Sequence, residues 1–297
     1  MYKRILAVVG AEPPLDTAVE YATALAVANA AELCLLGVLR LPLTTSVPEM
    51  LDGSVQALES VIQLQEDMLT WAATVARRAG VHTTTALRWG AFPDAIMHTA
   101  AEADCDVIVV GSPACPGWHR RLGGYLASKV LAQAQQPVLV VTESPPVVYG
   151  APLWSRLLVV HDGSPDADAT LEYALSLAQA SDLELCVLCC DARRHAVPAA
   201  TLRDRLRAVV SLTMAGSQCK VLAAPGRGVR AMLDASYEHE CDAIVLGASQ
   251  RAGWARFWRR PLVRSLVTVT TLPVLYVDQC TTWHYAARAM TSSHEEA

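Results

Sequence analysis

Short, continuous apolar runs recur along the chain, and longer segments of mixed polarity separate them. Ile5-Leu-Ala-Val-Val9, Val107–Val110 and Val138–Val141 are runs of this kind, and so are Leu157–Val160, Ala243–Leu246 and Val274–Val277. A run with no polar alternation predicts a strand covered on both faces, which is the habit of parallel sheets. Second strands fall at Glu32–Leu39 and Glu184–Asp191, and third strands near Thr83–Leu87 and Cys219–Ala223. The segments between read as helices. The first opens at Pro13-Pro14 and Asp16 and runs to about Ala30; its counterpart has Ser164 as N-cap and Pro165 at the first helical position. A long helix to Arg78 follows the second strand in the first half, and a shorter one to Ala215 in the second. Gly90 and Gly226 open the next helices, which run to Ala103 and His239. Each half therefore reads β-α-β-α-β-α-β-α-β. The fold class is α/β: two tandem Rossmann-like domains, each a five-stranded parallel sheet with helices on both faces.

The two halves are copies. Asp106-Val-Ile-Val-Val-Gly111 returns as Asp242-Ala-Ile-Val-Leu-Gly247, and Gly111 to Pro137 spans 26 positions, as does Gly247 to Pro273. Gly117-Trp118, Arg120 and Pro137 meet Gly253-Trp254, Arg256 and Pro273 at the same spacing. Earlier in the chain Glu20-Tyr21-Ala22 meets Glu172-Tyr173-Ala174, and Cys34 stands opposite Cys186. The offset is 152 there (162 − 10) and 136 at the glycine loops (247 − 111), so the second copy loses 16 residues after its second strand. The predicted boundaries are a first domain over 1–143, a linker over 144–154, a second domain over 155–278 and a C-terminal tail over 279–297.

Composition narrows the class. The chain has 297 residues, is 53% hydrophobic and 18% charged, and holds no apolar run of membrane-spanning length. Lys3-Arg4 leads straight into a strand, so no signal peptide is read. The nine cysteines are odd in number and several sit in apolar strands, which predicts reduced core thiols in a cytoplasmic protein. Charge is uneven: residues 1–143 carry 9 basic and 14 acidic groups, and residues 155–278 carry 14 and 13. No acid occurs between Ala243 and Val277, where Arg251, Arg256, Arg259, Arg260 and Arg264 lie. This local positive field suits a small anion; one short loop offers too few phosphate contacts for a nucleic acid.

On these residues the chain resembles the universal stress protein family in its tandem two-domain form. Leu157-Leu-Val-Val-His-Asp-Gly-Ser164, the Gly-Trp-x-Arg loops and Gly124 through Val141 carry the likeness. In nucleotide-binding members an aspartate ends the first strand, backbone at the end of the second strand meets adenine, and a Gly-x2-Gly-x9-Gly-Ser/Thr loop cradles phosphates. Glycines let backbone N–H groups approach the phosphates. Carried over, the candidate ligand-binding residues are Asp162, Gly163, Ser164, Cys190, Gly247, Arg256 and Arg260 in the second half. In the first half they are Gly111, Arg120 and Gly124, with Val38 at the adenine position. Neither half keeps the full set. The first has Gly10-Ala11 in place of the aspartate and glycine, Ala114 as the middle loop residue and Tyr125 at the hydroxyl position. The second has Gln250 as the middle residue and Arg260-Pro261 in place of Gly-Ser, and Pro261 has no N–H to offer.

Several residues carry two readings. Asp162 fits a ribose or metal-bridging role and equally a turn at a strand end. Arg120 and Arg256 fit a phosphate contact or a solvated loop, and Arg259-Arg260 fit an anion contact or a solvated basic patch. His161, Asp162 and Ser164 are the residue types of a hydrolase triad, but sequence neighbours point apart. Cys189-Cys190 with His161, or Cys115 with His119, lacks the spacing of a closed metal site.

The leading expectation is a cytosolic, non-enzymatic stress-response module with degenerate nucleotide sites. It would bind protein partners or a small anionic ligand, as an intrachain pseudo-dimer or, further, a homodimer. ATP or another adenine nucleotide bound in the second domain, with slow hydrolysis, is one alternative; a metal- or thiol-based redox protein is another. No catalytic residue and no metal ligand is assigned.

Overall fold

The computed structural model describes residues 1–10, 15–39, 53–112, 129–142, 146–190, 199–213, 218–224, 228–247, 262–263 and 265–277. The chain divides into two compact units, one built largely on Tyr2–Gln133 and the other largely on Trp154 onward. Among the described residues no helix is long and apolar enough to cross a membrane.

In the first unit β1 (Arg4–Val9), β2 (Glu32–Leu39), β3 (Thr83–Trp89), β4 (Val107–Gly111) and β5 (Val138–Val141) lie in the order β3-β2-β1-β4-β5. The pairings β1 with β2, β1 with β4 and β2 with β3 are parallel. Helices α1 (Leu15–Asn29), α2 (Gly53–Arg78) and α3 (Phe92–Glu102) connect them. The apolar runs are the reason for this arrangement. Ile5, Leu6, Leu33, Leu35, Leu36, Ile108 and Leu139 are fully buried, and each such side chain contributes about 1.5–3 kcal/mol relative to exposure.

The second unit repeats the plan. Its strands are β6 (Arg156–His161), β7 (Glu184–Cys190), β8 (Cys219–Ala224), β9 (Ala243–Gly247) and β10 (Val274–Val277), in the order β10-β9-β6-β7-β8. The pairings of β6 with β7, β6 with β9, β7 with β8 and β10 with β9 are all parallel. Helices α4 (Pro165–Ser181), α5 (Ala199–Thr213) and α6 (Val229–Glu238) complete the described part. Ser164 caps α4 with its hydroxyl and Pro165 stands at the first turn, as the sequence predicts; Asp182 closes the helix in a left-handed conformation, φ 52°.

An acid before the fourth strand ties each unit together at its amino edge. The Asp106 carboxylate accepts the Lys3 and Arg4 backbone N–H groups at 2.6 and 2.9 Å. Asp242 accepts those of Ser155 and Arg156 at 2.6 and 2.8 Å. The repeated aspartate thus has a structural reason: its carboxylate holds the start of the first strand against the fourth.

Some element limits differ from expectation. The helix after β3 starts at Phe92 with Ala91 as N-cap, because Gly90 is used in the turn before it, at φ 142°. In the second unit the N-cap is Gly228. Strand β3 runs on to Trp89, since Arg88 and Trp89 keep their pairing with Val38 and Leu39 although both are exposed.

Candidate functional site

In each unit the strand order reverses beside the first strand, between β1 and β4 and between β6 and β9. Loops leaving the carboxyl ends of two such strands diverge, and the crevice between them is where open α/β sheets hold ligands. In the second unit that crevice is bordered by the turn from His161 to Ser164 and by Gly247.

His161 ends β6 fully buried. Its Nδ1 accepts the Gly163 backbone N–H at 3.0 Å, and its Nε2 lies 3.1 Å from Asp168 Oδ1. A backbone N–H can only donate, so Nδ1 is the bare nitrogen and the proton sits on Nε2, donated to Asp168. Asp162 Oδ1 accepts both the Ser164 N–H at 3.1 Å and the Ser164 Oγ–H at 2.6 Å. Ser164 Oγ in turn accepts the Ala167 N–H at 3.2 Å, as an N-cap does. Gly163, at φ 77°, makes the bend that lets one carboxylate reach two residues ahead. Both ring nitrogens of His161 are thus engaged away from Ser164, and these neighbours assemble no His–Ser relay.

Gly247 ends β9 against the first turns of α4. A Cβ there would overlap the Thr170 hydroxyl, 3.1 Å from Thr170 Cβ and 3.4 Å from the Asp166 carbonyl oxygen. The glycine that the sequence marks as a ligand residue therefore also lets helix and strand approach. Cys190, the last residue of β7, is buried. Burial pushes its neighbour Cys189 up to about 12, with Cys190 adding to the effect and the Arg203 and Arg207 cations opposing it. Those arginines belong to α5, whose Leu202 methyls would lie 3.5 and 3.8 Å from a Gly163 Cβ. The first turns of α5 thus stand over the β6 turn.

The first unit fills the corresponding place differently. Gly10 follows β1 and no carboxylate stands there. Gln65, buried on α2, donates from Nε2 to the Val9 carbonyl at 2.9 Å. Its Cγ and Nε2, with Leu69 Cδ1, would each be 3.0 Å from a Cβ at Gly37, the partner of Val9 across the sheet. An amide therefore closes over the carboxyl end of β1. Gly111 ends β4 buried, and Val38 is buried in β2. The Ser112 N–H that follows Gly111 donates to the Val141 carbonyl at 2.8 Å.

Asp162, Gly163, Ser164, Cys190 and Gly247 are thus placed at the carboxyl ends of β6, β7 and β9, with Gly111 at the end of β4. Arg120, Gly124, Arg256 and Arg260, with Ala114, Tyr125, Gln250, Arg251 and Arg259, lie outside the described residues. So do Cys115, His119 and the segment from residue 278 on. The sequence reading missed Asp168, Thr170, Leu202, Arg203 and Gln65. Only Asp168 carried a signal, the place of an acid one helical turn beyond Ser164; the others touch the site from helices whose facing requires the fold.

The universal stress protein family model matches residues 1–142 and again 154–278. The chain belongs to the universal stress protein family. The solved structures agree in fold. A universal stress protein from Archaeoglobus fulgidus is 18% identical, with a TM-score of 0.70 over 93% of this chain and 96% of that one. A putative universal stress protein from Pseudomonas aeruginosa is 16% identical, with a TM-score of 0.60 over 95% of this chain and 96% of that one. No curated protein matches the chain. By the spacing of the two copies, the residue of the first half that corresponds to Asp162 is Gly10. Among the described residues no group of three metal-ligating side chains comes together.

Proposed function

We propose that this universal stress protein is a cytoplasmic binding module without a reaction of its own, and that its second unit takes a small anionic ligand of the adenine-nucleotide class while its first does not. The carrying observation is the contrast at the carboxyl ends of the first strands. In the second unit a carboxylate-bearing turn, held by Gly163 and Ser164, borders the crevice. In the first, Gln65 covers the same end and Gly10 stands where Asp162 stands in the second. The acid-free segment with Arg251, Arg256, Arg259 and Arg260 belongs to the second unit as well. A charge-assisted Arg–phosphate contact contributes about 1.5–3 kcal/mol. Two such contacts would offset part of what Arg260-Pro261 removes from the glycine cradle. The cysteines of the described residues form no disulfide, which supports the cytoplasmic part of the reading.

Calorimetry with ATP, AMP and a cyclic dinucleotide tests the proposal, on the wild type and on Arg256→Ala/Arg260→Ala, at low and moderate salt. Binding that weakens with salt and falls at least about tenfold in the double variant supports it. Binding indifferent to both, or binding that perturbs Gly111 and Val38 in place of Gly163 and Gly247, refutes the choice of unit. Phosphate release from ATP that tracks the wild type and is lost with Asp162→Ala would refute the non-enzymatic reading.

A further inference from the structure

The two units differ in the helix that follows the second strand: α2 has 26 residues and α5 has 15. Among its described residues α5 buries Leu202, Leu206 and Val210 and leaves one large apolar side chain exposed, Val209. Helix α2 carries two apolar rows. The inner row, Leu69, Ala72 and Ala76, is buried with Gln65, on the side that packs on β2 and β3. The outer row is Val61, Leu64, Met68, Trp71 and Val75. Val61 is 51% exposed, Leu64 50% and Trp71 40%, and Met68 and Val75 are half-buried.

The steps along the outer row are 3, 4, 3 and 4 residues. That is the spacing of a coiled-coil seam, which keeps one stripe of a helix facing a second helix over successive turns. A helix that packs on a sheet needs one apolar face, and α2 already buries that face with its inner row. At 1.5 Å per residue the outer row runs about 21 Å, and a contiguous exposed apolar stripe of that length marks an interaction site.

We propose that this row is a homodimer contact, in which α2 of one copy packs antiparallel on α2 of a second. Two properties of the row select a second copy in that direction. The first is size. Val61 and Trp71 stand at equal distances either side of Glu66, and so do Leu64 and Met68. An antiparallel pair with its axis level with Glu66 therefore sets Val61 beside Trp71 of the other copy and Leu64 beside Met68. The small side chain meets the large one, whereas a parallel pair would set Trp71 on Trp71. The second property is charge. Residues 53–67 carry Glu59, Glu66 and Asp67 and no base, and residues 68–78 carry Arg77 and Arg78 and no acid. Antiparallel pairing turns each basic end toward the other copy's acidic half and opposes the two helix dipoles; parallel pairing would place like ends together. The seam is short beside the interface of about 800 Å² per partner that stable complexes use, so the dimer is expected to be weak and concentration-dependent. The contact belongs to the first unit and does not depend on the ligand reading for the second.

Sedimentation of the full chain over roughly 5–200 μM tests the proposal. The expected result is a reversible monomer–dimer equilibrium that Leu64→Glu/Trp71→Glu weakens at least about tenfold, with circular dichroism unchanged. Cross-linking reads the direction. Under mild oxidation Leu64→Cys/Met68→Cys should give a disulfide-linked dimer above the wild-type background. Val61→Cys alone should not, because in the antiparallel pair it lies ten residues, about 15 Å, from its own copy. A chain that stays monomeric over the whole range would overturn the proposal and leave the row to a helix of another protein. A dimer untouched by the double glutamate variant would overturn it as well, and a linked Val61→Cys dimer would overturn the antiparallel pairing.

Discussion

The two units hold one frame and two different sets of contacts at the strand ends. Asp106 and Asp242 perform the same bridging in both. At the carboxyl ends, Gln65 covers β1 in one unit, and Asp162, Gly163 and Ser164 build a turn in the other. At the amino ends, Cys34 lies in register with Thr84 in one unit, and Cys186 with Lys220 in the other. A duplicated sheet tolerates change where side chains leave the strands and resists it where they join them. The frame residues meet backbone groups that cannot move, while the end residues meet side chains that can be exchanged in pairs.

The frame should be the costlier to break. Asp106→Ala strands two backbone N–H groups and is expected to lower stability by about 2–4 kcal/mol. Asp242→Ala should cost somewhat less, because Asp242 is the less buried of the two. Urea denaturation followed by circular dichroism reads both, and a negligible loss from each would contradict the bridging role.

Gly247→Ala comes next. The added methyl meets Thr170, so a loss of about 1–3 kcal/mol is expected with no ligand present. Adding Thr170→Ala removes the hydroxyl and should restore part of it. A fully stable Gly247→Ala protein would mean that the glycine answers to a ligand alone.

Ser164→Ala removes the α4 cap and one partner of Asp162, for about 1 kcal/mol. The melting temperature should fall slightly while anion binding weakens. If stability changes and binding does not, the turn is architecture only.

The smallest effect at neutral pH is that of the raised thiols. Burial lifts Cys105, Cys189 and Cys219 from the ordinary 9.0 to about 12. Their folded values exceed the unfolded one, so the stability they contribute is complete below about pH 9. It is lost as pH rises from there toward 12, because the unfolded chain releases those protons first. Urea midpoints measured from pH 8 to 11 should decline more steeply in the wild type than in Cys105→Ala/Cys189→Ala. Parallel curves would count against buried, protonated thiols at these positions.

The sequence alone determined the repeat, the strands, the α/β class and the family. Each of these rests on local pattern: unbroken apolar runs, Ser164-Pro165 at a helix start, and glycine and proline at matched spacing. It also located the two glycine-bearing strand ends, because a parallel sheet puts its loops at a known edge. What each end contains was decided by tertiary structure. Gln65 and Val9 are 56 residues apart in the chain, and no local rule sends that amide to that carbonyl. Gly247 reads as a ligand glycine until α4 brings Thr170 onto it. Thr84 and Lys220 look like ordinary strand residues until register sets each beside a cysteine. Periodicity encodes which residues are buried, but the partner of a buried group depends on which distant segment packs there, and that is fixed only when the chain closes.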